Sequence, residues 1–280
     1  QVLQKYEAQF AQLESGQNDM GGVLGEQEKK KYGDSLKKYE YRLKEDIPPI
    51  ESQSFMGFLD QSNSLIMVVS LCVIILAATQ VASEYTSGTV KLLLIAPYKR
   101  WKILLAKCAL MFTIALLMYG ALLFSAAAVG GMLYGFGGMR PFVTTFGGEA
   151  AGVPFPLFVL LKYFLNFPEL LVYTSLAVML AVLMRHSAVA IGLGVALLIG
   201  GGFVNILLQF IKYDFKRFIL QANTNLGQYF TGFYENDIFS VVEGPPIPDM
   251  TLGFSLAVLA VYLICINAIA FDSFNRRDIK

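Results

Sequence analysis

Five stretches of the chain, 65–83, 108–132, 168–184, 188–211 and 252–271, are almost free of charge and each approaches the length of a bilayer crossing. A segment of about 20 apolar residues in lipid must satisfy its own backbone N–H and C=O groups, so each run is expected to be a helix. The chain is 55% hydrophobic with a mean hydropathy of +0.55, too apolar for a water-soluble domain of 280 residues. The expected fold is therefore an all-α, polytopic helical membrane protein with five spans. Lys162 and the Asn166-Phe167-Pro168 break set the start of the third span at Pro168. On that reading 155–166 is a separate interfacial or re-entrant piece. Glu169 is then a first-turn acid favoured by the helix dipole.

Residues 1–61 are polar, but Leu3, Tyr6, Phe10 and Leu13 recur at helical spacing, as do Tyr32, Leu36, Tyr39 and Leu43. Glycines separate the two sets, and the second helix must stop before Pro48-Pro49. The expectation is a helical hairpin standing in water, followed by a membrane domain at 62–280. Basic residues set the orientation. Lys91, Lys99, Arg100, Lys102 and Lys107 lie in the first connection, Arg185 in the third, and Arg276, Arg277 and Lys280 in the tail. These belong in the cytoplasm. The hairpin and the connections 133–167 and 212–251 are then extracellular, and the localisation is the plasma membrane. An external polar segment needs a hydrophobic element upstream, so a further helix is expected before Gln1, giving the intact subunit six spans.

The residues argue against several chemistries. A net charge of +1 leaves no nucleic-acid footprint. Cys72, Cys108 and Cys265 sit in apolar runs without ligand spacing and read as small hydrophobes, so no metal site is expected. G-x-S-x-G and H-E-x-x-H are absent, and the sole histidine, His186, reads as a turn residue at a span end. No phosphate loop of the form G-x-x-x-x-G-K followed by Ser or Thr occurs, so no nucleotide is expected on these residues.

The first connection, 84–107, carries the most information. It holds Glu84, Thr86, Ser87-Gly88-Thr89, Lys91, the pair Leu92-Leu93, Pro97, Arg100 and Lys107. Thr86 or Ser87 can cap a short helix, Leu92, Leu93 and Ile95 form an apolar ridge, and Pro97 ends it. On spacing alone this is either an interfacial helix with a basic anchor or a helix that docks in a groove of another protein. Glu84, at the membrane boundary, pairs either with a basic residue or with the loop's own backbone donors.

The loop resembles the signature between the second and third spans of the permeases of type-2 ATP-binding-cassette (ABC) exporters. The resemblance is close in this loop and loose over the rest of the chain. It implies a permease without catalytic residues, driven by a separate cytoplasmic ABC ATPase that carries ATP and magnesium and docks on the loop. It also implies a second permease copy or a related permease, and membrane lipid, as partners. The implied activity is export of a hydrophobic or amphipathic substrate, such as an antimicrobial peptide, drug or lipid. A sodium-ion exporter of the same family and a membrane-anchored sensory or assembly protein are the alternatives. In that family short re-entrant helices before the last span close the outer side, and 212–251 is similar in place and length.

Polar residues within or beside the apolar runs are costly unless they face protein or water. Lys162, Asn166, Glu169, Asn205 and Gln209 are on that ground candidates for a substrate path. Gly131-x-x-x-Gly135 and the series Gly192, Gly194 and Gly200 to Gly202 permit close helix packing, at a dimer face or internally. Trp101, Tyr119, Tyr134, Tyr163, Tyr173 and Tyr229 are expected to lie partly in the interfacial belt.

Overall fold

A computed structural model describes residues 40–42, 44–47, 53–86, 99–136, 141–146, 149–210, 214–229, 247 and 250–276. The first helix of the expected hairpin lies outside the described residues. The second enters them only at its end, with helical residues at 40–42 and 44 and the Glu45 N–H on the Tyr41 carbonyl.

The protein is a multi-pass membrane protein built almost wholly from helices, five of which are long and apolar enough to cross a bilayer. Helix α1 (Phe55–Ser62) starts where the Ser54 hydroxyl accepts the Gly57 N–H at 3.1 Å. A single 3₁₀ turn, Asn63–Leu65, joins it to α2 (Ile66–Thr86). The first span thus starts earlier than the apolar run, and 55–61 belong to the bundle rather than to the hairpin. Helix α3 (Arg100–Tyr134) likewise starts well before 108.

A two-stranded antiparallel sheet follows, β1 (Phe142–Phe146) and β2 (Glu149–Val153), which the composition did not announce. Two strands alone are marginal. Phe142 anchors this pair by stacking on Phe158, with ring centroids 3.5 Å apart.

Helix α4 (Phe155–Met184) corrects the reading of the third span, because it runs unbroken through Pro168. Proline removes one donor, and in a membrane bundle neighbouring groups accommodate the loss. The piece at 155–166 is therefore the first half of the span, and Glu169 lies near the middle of the helix, not in its first turn. A tight turn at Arg185 and His186, with Arg185 left-handed at φ 56°, leads into α5 (Ser187–Phe210). Short helical pieces at Asp214–Phe218, α6 (Leu220–Asn223) and Leu226–Tyr229 precede the last span, α7 (Leu252–Arg276).

Helix α4 is central and packs against α2, α3, α5 and α7. Ala77, Ala78 and Ala82 of α2 and Ala177 and Ala181 of α4 are fully buried, and their small side chains let these two backbones approach. A Cβ on Gly194 of α5 would lie 2.7 Å from the Ile74 side chain, so that glycine serves internal packing, whereas Gly192, Gly200 and Gly202 face open space. Gly131-x-x-x-Gly135 has another use: the Phe136 ring lies over Gly131, and Gly135 ends the helix at φ 72°. Cys72, Cys108 and Cys265 are unpaired.

Candidate functional site

The bundle has two chemically distinct ends. At the basic end, the Glu84 carboxylate at the close of α2 pairs with the Lys107 ammonium, one of the alternatives open to it in the sequence. The Arg100 guanidinium, at the start of α3, donates to the Asn275 carbonyl of α7 at 3.4 Å. Both mouths of the 84–107 connection are thereby fastened to helices. Thr86 belongs to α2 by its backbone, while Ser87, Gly88, Thr89, Lys91, Leu92, Leu93 and Pro97 lie outside the described residues.

At the opposite, sheet-bearing end, a polar turn between α1 and α2 gathers side chains from α3 and α4. The Lys162 ammonium donates to the Asp60 carboxylate, with 17% and 7% of the two side chains exposed. The Ser62 hydroxyl lies 3.0 Å from the Tyr163 hydroxyl, and the Tyr119 hydroxyl donates to Asn63 Oδ1 at 2.7 Å. The Tyr119 and Tyr163 rings stack at 5.1 Å. Tyr119, Tyr163 and Tyr173 are buried within the bundle, which corrects their reading as belt residues; Trp101 and Tyr134 are exposed as a belt requires.

Because α4 is continuous, Lys162, Asn166, Glu169 and Tyr173 follow one another at steps of four, three and four and share one helical face. The segment before α7 docks against this stripe by its main chain. The Asn225 N–H donates to Glu169 Oε2 at 2.7 Å, and the Gly227 N–H to Asn166 Oδ1 at 2.6 Å. Asn225 is left-handed at φ 57°, and a Cβ on Gly227 would fall 2.8 Å from Asn166 Nδ2, so the approach needs glycine there. Farther along, the Tyr229 hydroxyl lies 2.7 Å from Ser255 Oγ, and the Tyr262 hydroxyl donates to the Phe218 carbonyl at 3.1 Å. The break in backbone at Asn225 thus meets α4 about 20 Å along its length, near its midpoint, with Asn225 exposed and Leu226 and Gly227 buried against the bundle.

Of the expected path residues, the structure brings together Lys162, Asn166 and Glu169. Asn205 and Gln209 have their backbone in α5, and their side chains lie outside the described residues. Asp60, Ser62, Asn63, Tyr119 and Tyr163 complete the cluster and escaped the sequence reading. Their one signal was the dense polar run from Asp60 to Ser64 abutting an apolar span. Among the described residues no group of three His, Cys, Asp or Glu side chains could hold a metal.

A family model described as "Protein of unknown function (DUF2705)" matches residues 29–280. The "Uncharacterized protein YhcI" of Bacillus subtilis (strain 168) is 30% identical over 262 residues, 89% of this chain and 76% of that protein. The "Uncharacterized membrane protein YdbK" of the same organism is 26% identical over 228 residues, 81% of this chain and 85% of that one. No solved structure matches. With the family model covering most of its length, the chain belongs to the DUF2705 family.

Proposed function

We propose that this protein is the permease subunit of an ABC exporter, moving a hydrophobic or amphipathic substrate out of the cell under the drive of a separate ATPase. The observation that carries the reading is the Glu84–Lys107 pair, which ties together the two ends of the very connection whose residues resemble the exporter signature. A ligand-free loop between two spans has little use for a clasp at its base. A loop that receives force does, because the clasp turns displacement of the loop into tilt of α2 and α3 together. Helix α4, packed against both, would carry that tilt to the segment docked on Asn166 and Glu169.

In this reading the basic end faces the cytoplasm, the sheet end faces outward, and the segment at 214–229 closes the outer side of the path. The test is to co-express the chain with a candidate ABC ATPase from the same organism and to replace Glu84 by Ala, and Leu92 and Leu93 by Asp. Loss of ATPase recruitment or of substrate-coupled hydrolysis is expected. Unchanged recruitment together with unchanged coupling overturns the proposal, and purification without any ATPase favours an anchoring or sensory role.

A further inference from the structure

Within the five described spanning helices, three charged side chains lie away from the basic end: Asp60, Lys162 and Glu169. The first two neutralise each other. Asn166 is nearly sealed and is occupied by the Gly227 N–H. Glu169 is different. It is half-buried near the middle of α4, it receives a single hydrogen bond, from the Asn225 N–H, and among the described residues no cation pairs with it. Lys216 and Arg217, at the start of the neighbouring segment, have other partners. Asn223, two residues before the donor and fully buried, spends its amide N–H groups on the Arg217 and Ile219 carbonyls and leaves Oδ1 without a donor. The Glu169 carboxylate, with about four lone-pair sites, uses one of them on the Asn225 N–H.

A carboxylate at this depth without a counter-charge is expensive, which marks the position as a place for a positive group. Sites for substrate commonly lie near the midplane where helices are interrupted, as the backbone at 224–225 is here. A hard metal ion wants about six oxygen ligands, and among the described residues no acidic cluster supplies them. An ammonium or guanidinium head needs only a charged acceptor, and the apolar tail of such a molecule is at home in the surrounding hydrocarbon.

We infer that Glu169 is the binding carboxylate for the cationic head of an amphipathic organic molecule, held in place at one oxygen by the Asn225 N–H and open to the ligand at the other. The site names the substrate class of the proposed exporter and rests on that reading for its biological use, but its test does not involve the ATPase. The full chain in lipid nanodiscs is titrated with a dansyl-labelled long-chain alkylammonium and with the matching uncharged alkyl amide. The wild type should prefer the ammonium by about tenfold, and Glu169→Gln should abolish the preference.

A second measurement needs no variant. A hydrophobic carbodiimide should modify Glu169 in the wild type, read by mass spectrometry, and the alkylammonium, not the amide, should protect it. Equal affinity for the two probes, a preference that survives in Glu169→Gln, or the absence of protection overturns the inference. Failure of ATPase recruitment with the ammonium preference intact would count against the exporter and not against the site.

Discussion

At the sheet end, polar side chains from α1, the turn after it, α3 and α4 and the Gly227 N–H satisfy one another inside the bundle, through Asp60–Lys162, Ser62–Tyr163, Asn63–Tyr119 and Asn166–Gly227. At the basic end, the described residues place two ion pairs, Glu84–Lys107 and Asp272–Arg276, and one long contact from Arg100 to a carbonyl of α7, all reached by water. Buried polar networks are costly to break in part, because each orphaned group keeps its desolvation penalty. Half-solvated pairs exchange partners with water at little cost. The contrast teaches where the molecule can move. The basic end is compliant and suited to being pushed, while the sheet end holds until several bonds shift together.

The largest effect should come from Asp60→Ala, which strands the Lys162 charge in the bundle at a cost of about 3–5 kcal/mol. Thermal unfolding in detergent micelles measures it, and Asp60→Leu combined with Lys162→Met should recover most of the loss. If Asp60→Ala costs no more than Glu84→Ala, the distinction between the two ends fails.

Next comes Gly227→Ala, whose methyl group would press on the Asn166 amide, itself only 1% exposed, and loosen the bond to the turn. A loss of about 1–3 kcal/mol is expected. Gly131→Ala sharpens the point: its methyl also collides, but with the Phe136 ring, which is 66% exposed and free to swing aside, so stability should change by less than about 1 kcal/mol.

Lys107→Met should cost about 1 kcal/mol or less, since the pair is partly solvated, with 11% of Lys107 and 27% of Glu84 exposed. On the proposed exporter function its larger consequence should appear in coupled ATP hydrolysis, and the charge swap Glu84→Lys with Lys107→Glu should restore coupling. Smallest of all is Arg276→Ala, which removes an exposed pair with Asp272 and should shift stability by under about 0.5 kcal/mol.

The five spans were legible in the residues because lipid imposes a one-body rule: a stretch either is apolar enough to sit there or is not. The basic residues of 84–107 pointed to one of the two ends for the same reason. Ends and interruptions were less legible. Pro168 carries a local instruction to break a helix, and only the surrounding bundle, by packing α4 on four neighbours, lets the helix continue and puts Lys162 and Glu169 on one face. Local pattern was equally silent on the sheet, which depends on Phe142 finding Phe158.

Pairing lay beyond the sequence altogether. Asp60 and Lys162 are 102 residues apart, and Asn63 and Tyr119 are 56 apart. The residues by themselves determined that this chain lives in a membrane as helices, since hydrophobicity adds up segment by segment. Which polar groups neutralise one another, and therefore that Glu169 is left without a counter-charge among the described residues, was decided by the tertiary structure, because a charge is paired by whatever the fold brings within reach of it.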